Sequence, residues 1–346
     1  MTANPITVIR QWQGIPGIER TLSGRLVAVW FTGGPREPHP ENTVVMTYSK
    51  DGGTTWRPPF VVAEPNDAGR AFDPNVWLDP AGCLWLFFNR GHREKRLHGV
   101  YARRCLNPDA PEPIWGNEYR LGFDEVPFSF RLNKPTVLST GEWVMPVTHA
   151  AQPCGEWFPV EGQQQGVAIS TDRGTTWRLY GTVEAPPWAL ENMIVERRDG
   201  RLWMLIRTSA GALWQSFSTD RGRTWSRGEP TSIASPGSRF FIRRLASGNL
   251  LLVNHYRFTG RSHLTGLLSA DDGRTWREGL VLDERPNVSY PDGFQAPDGL
   301  IWIIYDRDRN GSGDILLARF REEDIAAGRV RSPDGSLRRI LNTLNG

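Results

Sequence analysis

Six times along the chain, a small residue or Asp followed by Gly separates two apolar stretches. The pairs are Ser23-Gly24, Ala81-Gly82, Thr140-Gly141, Asp199-Gly200, Ser247-Gly248 and Asp298-Gly299. The stretch after each is rich in Leu, Val, Ile and Trp: LVAVW from 26, LWLFF from 84, WVMPV from 143, LWMLI from 202, LLLVN from 250 and IWIIY from 301. Short apolar runs bounded by turn formers read as strands joined in hairpins. The turns recur at about 50 to 60 residues, room for one four-stranded unit each. The expected fold is all-β, a six-bladed β-propeller that takes up residues 1–346 as a single domain. The sixth unit is short of one strand near the C-terminus. The segment from Ile6 to Ile9 is expected to supply it and leave no free edge. Residues 322–327 read as a short helix, and the last residues as a closing strand or coil.

A second repeat supports this reading. Ser-x-Asp-x-Gly-x-Thr-Trp occurs four times, at Ser49–Trp56, Ser170–Trp177, Ser218–Trp225 and Ser269–Trp276. These residue types suit a tight turn. The Asp can accept bonds from backbone N–H groups, the Gly permits positive φ, and the Trp can staple the turn to its blade. Residues repeated around a pseudo-symmetric ring build the ring, so the four Asp residues read as structural rather than catalytic.

Composition agrees and excludes several classes. The chain has 346 residues with 15 Trp, 36 Gly and 26 Pro, a mixture that favours many short strands. The net charge is only +3, without a Lys/Arg run, so nucleic acid is not an expected partner. No apolar run approaches the roughly 20 residues of a membrane span, and no membrane association is expected. Cys83, Cys105 and Cys154 have neither zinc-ligand spacing nor the look of a disulfide framework. Residues 1–11 lack the basic-then-apolar pattern of a signal peptide, so a reduced, cytoplasmic setting is expected. No motif calls for a metal or other cofactor. Monomer and homo-oligomer both stay open.

Residues equidistant from a hairpin turn lie side by side, which brings polar residues together at the ends away from the turns. On this reading Glu191 faces Arg207, and Tyr290 lies near Asp306 and Arg307. Arg239 lies near His255 and Tyr256, Arg131 and Lys134 near the strand leading to His149, and Asp73 near Asn89 and Arg90. If the six hairpins are equivalent by rotation, these groups share one face and form a candidate site. The alternative is six sets of ordinary solvated loop residues. Charged residues within the ends of apolar strands, not only in the loops, favour the site.

With these residues placed, nearly the whole chain, about residues 10–321, resembles the sialidase superfamily, specifically bacterial sialidase-like proteins with Asp-box repeats. The resemblance implies an arginine triad for a substrate carboxylate, a Tyr nucleophile partnered by Glu, and an Asp acid/base. Glu191, in Leu190-Glu191-Asn192, matches the Glu. Arg207, in Leu205-Ile206-Arg207-Thr208, matches the second arginine, and Arg261 the third. Tyr290, in Ser289-Tyr290-Pro291-Asp292-Gly293, matches the nucleophile. Guanidinium forks suit a carboxylate, and a phenol attacks while nearly neutral where a carboxylate nucleophile would be repelled. Nearby arginines are expected to lower the Tyr290 pKa.

Two departures stand out. Where the family has an Arg-Ile-Pro motif, this chain has Gly14-Ile15-Pro16. The loop from Gly33 to Asn42, which should carry the acid/base Asp, has none. Glu37 is the nearest substitute, with His39, Glu41 and, from the next unit, Asp73 as others. Arg36, Arg70, Arg131 or Lys134 could compensate for the lost guanidinium. Arg239 and His255 complete the expected substrate-binding set. The leading expectation is a retaining exo-glycoside hydrolase acting on a terminal acidic sugar of a carbohydrate. The alternatives are a polysaccharide lyase or a neutral- or uronic-sugar glycosidase on the same scaffold, and a non-catalytic carbohydrate-binding propeller.

Overall fold

The computed structural model describes residues 6, 10–92, 97–122, 126–152, 162–186 and 188–344. Its strands follow one another as antiparallel meanders. The first sheet is β1 (Gln13–Arg20), β2 (Leu26–Thr32), β3 (Thr43–Ser49) and β4 (Phe60–Ala63). Nine strands then share a sheet: β5 (Arg70–Leu78), β6 (Leu84–His92), β7 (Leu97–Cys105), β8 (Tyr119–Arg120), β9 (Phe128–Phe130), β10 (Thr136–Val137), β11 (Trp143–Ala150), β12 (Gln164–Ser170) and β13 (Arg178–Val183). Three four-stranded sheets follow. The first is β14 (Ala189–Glu196), β15 (Leu202–Thr208), β16 (Ala212–Ser218) and β17 (Glu229–Ala234). The second is β18 (Phe241–Arg244), β19 (Leu250–His255), β20 (Leu264–Ser269) and β21 (Arg277–Asp283). The third is β22 (Val288–Gln295), β23 (Ile301–Arg307), β24 (Asp314–Phe320) and β25 (Ser336–Asn342).

The sequence leads one to expect six separate units, whereas the second and third share hydrogen bonds through a parallel bridge, His98 to Phe128, between β7 and β9. Elsewhere the described strands fall into consecutive four-stranded units that follow the sequence repeats. Neighbouring units pack on one another, β1 on β5, β14 on β11, β18 on β14, and β22 on both β18 and β1, and β9, paired with β11, closes the remaining step through its bridge to β7. This is a propeller. Its core is the set of apolar layers between neighbouring units. Ile18 and Trp30 of the first unit, for example, pack with Trp302 and Ile304 of the last. The second strand of each unit is enclosed on both faces, which is why each reads as a continuous apolar run.

One expectation about the ends differs from what is found. The last unit is not short of a strand, because β25 pairs with β24 and completes it. Of the segment from Ile6 to Ile9, residues 7–9 lie outside the described residues, as does Cys154. The short helix α1 spans Glu322–Ala327. Cys83 and Cys105 are free and buried.

The repeated octapeptide forms the turn after the third strand of its unit in all four copies. In the second copy the Asp172 carboxylate accepts bonds from Thr176 N (2.8 Å), Thr176 Oγ1 (2.6 Å) and Ser170 Oγ (2.8 Å). The Gly has a reason beyond its positive φ. A methyl group on Gly174 would stand 2.8 Å from Trp85 of the preceding unit, and one on Gly273 2.3 Å from Trp203. Each turn therefore docks on a neighbouring unit. Gly53 does the same against Trp302 of the last unit and helps close the ring.

The hydrogen bonds, first those from Thr176, hold Asp172 at a pKa of about 2. A depressed carboxyl pKa contributes stability above the unfolded value, which is lost as pH falls through the folded value. Asp172→Asn is expected to be less stable than the parent at neutral pH, by an amount that shrinks as pH falls from about 4 toward 2. Thermal melts across that range check this; a constant difference would contradict it.

Candidate active site

The site is built from one local device used four times. On β1, β5, β14 and β22 the register slips so that two residues oppose one, a β-bulge. The first bulged residue is Ile15, Asp73, Glu191 and Tyr290 respectively, with φ of 58°, 48°, 60° and 57°. Left-handed backbone at non-glycine residues costs on the order of 1–3 kcal/mol each, and Ile is especially poor at it. The flanking ladder holds the strain and turns the side chains toward one end of the ring. In three of the four bulges the next residue is Pro. The simple hairpin count is therefore off by one: Arg207 pairs with Leu190, and Glu191 stands in the bulge beside it.

Arg207, near the end of β15, organises the centre. Its Nη1 donates to Glu191 Oε2 at 2.5 Å and to Tyr290 Oη at 2.9 Å, and its Nε donates to Gly237 O at 2.9 Å. Arg261 donates to the same carbonyl at 3.1 Å, so one backbone oxygen anchors two guanidinium groups. The ring of Tyr290 is then ringed by three arginines, Arg207 and Arg261 at 5.6 Å and Arg309 at 4.5 Å from its centre. Trp188 lies over the outer face of Arg207 at 4.6 Å and is exposed.

Burial and neighbouring charge set the protonation states. Burial is the largest influence on Tyr290 and raises its pKa, with Glu191 adding to the rise. Arg207, Arg309 and Arg261 act in the expected direction but do not win, so the phenol is neutral at rest. Asp73 is buried, and Oδ1 has no hydrogen-bond partner among the described residues. Burial, then the charges of Glu37 and Glu191, raise its pKa well above the carboxylate range. Burial also raises Glu37, against Arg309 and Arg70.

Glu37, Arg261, Arg309, Arg36, Trp12 and Ser289 face an open cavity of about 400 Å³. A larger recess, about 590 Å³, lies between Gly181 and Gly228 beside Trp214 and Trp225 and holds none of the perturbed carboxyls or the phenol. The chemistry marks the smaller one as the site.

The other candidates spread inward. Arg70 is buried on Phe72 at 3.7 Å and donates to Asn42 Oδ1 at 3.0 Å; burial lowers it to about 10. The Asn42 amide also donates to Gly33 O and Arg36 O, so it shapes the loop that carries Glu37. Arg131 is buried, stacked near Phe87 and bonded to Leu132 O. Lys134 and Arg239 are not brought to the cavity. Lys134 bonds Ile18 O and Gly293 O and pairs with Glu19 and Asp292 at 3.3 Å each. Arg239 bonds Asn133 Oδ1 at 2.8 Å and Asp292 at 3.4 Å. Both are held inside the ring by Asp292, an acid the hairpin reasoning does not single out. His255 Nδ1 donates to Ser262 O, 2.7 Å away, and steadies the segment that bears Arg261; burial lowers its pKa to about 4.

The residue that sequence reasoning misses is Arg309. It comes from the turn after β23, not from the Arg-Ile-Pro position, and fills the space beside Gly14. A methyl group on Gly14 would meet Arg309 Cδ at 2.3 Å and Asp306 Oδ2 at 2.9 Å. Arg309 Nη1 donates to Glu37 Oε1 at 2.9 Å, and its Nε lies 3.5 Å from Asp306 Oδ2. The sequence signal was Gly14 itself, a vacancy without an owner.

The model of the BNR repeat-like domain matches residues 24–303. The chain belongs to that family. This BNR-repeat protein is similar over 337 residues to a sialidase of Micromonospora viridifaciens, with 25% identity over 84% of this chain and 49% of that relative. It thus spans about half the length of that curated relative. Among solved structures it is similar to Hadza microbial sialidase Hz136, with a TM-score of 0.75 and 18% identity over 92% of this chain and 67% of that one. It is also similar to Trypanosoma rangeli sialidase in complex with sialic acid, with a TM-score of 0.66 and 17% identity over 90% and 54% of the two chains. The BNR-repeat protein therefore has the sialidase-like propeller fold.

Proposed function

We propose that this protein is a retaining exo-glycosidase that removes a terminal acidic sugar, sialic acid or a related ulosonic acid, from a glycan. The observation that carries the reading is the single nitrogen of Arg207 bonded to both Glu191 and Tyr290. A buried phenol and a carboxylate gathered on one guanidinium suit nucleophilic attack at an anomeric carbon that itself bears a carboxylate. Tyr290 is neutral at rest, so the substrate's charge does not repel it. As the bond from Oη to the anomeric carbon forms, the phenolic proton passes to Glu191. Glu37, at the cavity wall, donates a proton to the departing glycosidic oxygen. It then takes a proton from the water whose oxygen bonds the anomeric carbon, while the bond to Tyr290 Oη breaks and Glu191 returns its proton to the phenolate. Asp73 lies deeper and is the less direct donor. The arginines hold the sugar carboxylate, which favours an acidic over a neutral substrate.

The test is hydrolysis of α-linked aryl and glycan sialosides and of other ulosonic acid glycosides, with the first-released anomer read by NMR. Retention is expected. Inversion would rule out a Tyr290 intermediate, and absence of turnover on every acidic glycoside would rule out the substrate class. Glu37 faces Arg309, Arg70, Asp306 and Glu191. Its raised pKa keeps it protonated above the usual carboxylate range, and activity should fall as pH rises through that value. Glu37→Gln is expected to lose roughly 10²- to 10⁴-fold on natural linkages and far less on an aryl glycoside with a good leaving group.

A further inference from the structure

We propose that Arg309 is the third carboxylate-binding arginine of this site, and that Glu37, its partner in this structure, holds the place the substrate carboxylate takes. This deepens the glycosidase reading and rests on it.

Three observations converge. Gly14 is the one position in the expected triad without a side chain, and Arg309 Cγ and Cδ fill the volume its Cβ would take. Arg309 stands on the same phenol ring as Arg207 and Arg261, nearer to it than either. Its guanidinium faces the cavity in company with Glu37 and Arg261. A guanidinium is thus delivered to the centre from the other side of the ring closure, with Gly14 as the condition for its entry.

Its present partners suggest how it works. Asp306 is fully buried and bonded to Ile15 N at 2.7 Å, so it is a fixed anchor for the inner edge of the guanidinium. Glu37 is different. Its side chain is 29% exposed and sits on a loop, and it holds only Nη1. A part-exposed ion pair is cheaply exchanged. An incoming carboxylate can replace Glu37 on Arg309 without leaving either charge buried alone. Without its cation the Glu37 carboxylate takes up a proton from solvent, because burial then acts on it unopposed by Arg309, and it becomes the donor as a glycosidic oxygen arrives beside it. Carboxylate recognition and supply of the proton donor are then one event.

The test compares Arg309→Ala, Arg309→Lys, Glu37→Gln and the double variant Gly14→Arg/Arg309→Ala with the parent. Calorimetric binding of sialic acid and glucuronic acid, each against its methyl ester, reads the carboxylate directly. Arg309→Ala is expected to weaken binding of the acid by about 10- to 100-fold and leave the ester nearly unchanged. Arg309→Lys should recover only part of the loss, because an ammonium lacks the fork. The double variant should recover part by returning a guanidinium from β1. Glu37→Gln should act in the opposite sense and tighten the acid several-fold by removing the competing carboxylate. Equal loss for acid and ester in Arg309→Ala would overturn the binding role. Unchanged or weaker acid binding in Glu37→Gln would overturn the exchange. These measurements need no turnover. Carboxylate-dependent binding without hydrolysis would sink the glycosidase reading and leave the Arg309 assignment standing.

Discussion

Tyr290→Phe is expected to lower kcat by on the order of 10⁴-fold or more on any confirmed substrate, with little change in stability. The ring has two duties that the substitution separates. It packs at the bulge of β22 with Leu190 and Ile15 and forms the face on which Arg309 stands. Phe keeps all of that. What it loses is Oη, the only atom proposed to attack the anomeric carbon. Arg207 gives up one acceptor but retains Glu191 and Gly237 O, so its guanidinium stays in place. Steady-state turnover should be paired with a thermal melt. A folded variant with parent-like turnover would exclude Tyr290 as nucleophile, whereas a large fall in melting temperature would mean that the loss came from the fold.

Arg207→Ala should show the largest loss of stability, about 3–5 kcal/mol, together with loss of activity. Glu191 and Arg207 are both about nine-tenths buried or more, and their contact is 2.5 Å. Removing the guanidinium leaves a buried carboxylate without its cation and Tyr290 Oη without its donor, and it leaves Gly237 O with Arg261 alone. The cost of an uncompensated buried charge exceeds what the pair contributes over an apolar replacement, so the partner decides the outcome. The double variant Arg207→Ala/Glu191→Gln should therefore regain a sizeable part of the lost stability while remaining inactive. Denaturant unfolding of the parent, both single variants and the double variant measures the coupling. Additive losses would mean that Arg207 contributes mainly through packing on Trp188 and its bond to Gly237.

Much of this arrangement was legible in the chain. Repeats are local statements copied several times, and each copy checks the others. The small-Gly turns announced the hairpins, and the apolar runs announced the second strand of every unit. The octapeptide specified its own hydrogen bonds, because Ser, Asp and Thr within eight residues can satisfy one another without help from elsewhere. Glu191, Arg207 and Tyr290 could be singled out because each stands near the end of a hairpin counted from a repeated turn, whereas Arg261 came only with the family resemblance. What counting missed was local geometry and distant partners. Hairpin counting assumes one residue opposite one, and each bulge breaks that rule where the site is built.

The sequence by itself determined the strands, their turns, the order of the units and the face that would carry polar groups, since all of these follow from short-range periodicity. Only the tertiary structure decided that β25 completes the last unit and that burial outweighs three arginines at Tyr290. It alone committed Lys134 and Arg239 to Asp292, and filled the vacancy at Gly14 with Arg309. The Arg309–Glu37 bond joins residues 272 positions apart across the closure of the ring. No local pattern encodes such a meeting, because it depends on the whole ring bringing its first and last strands into contact.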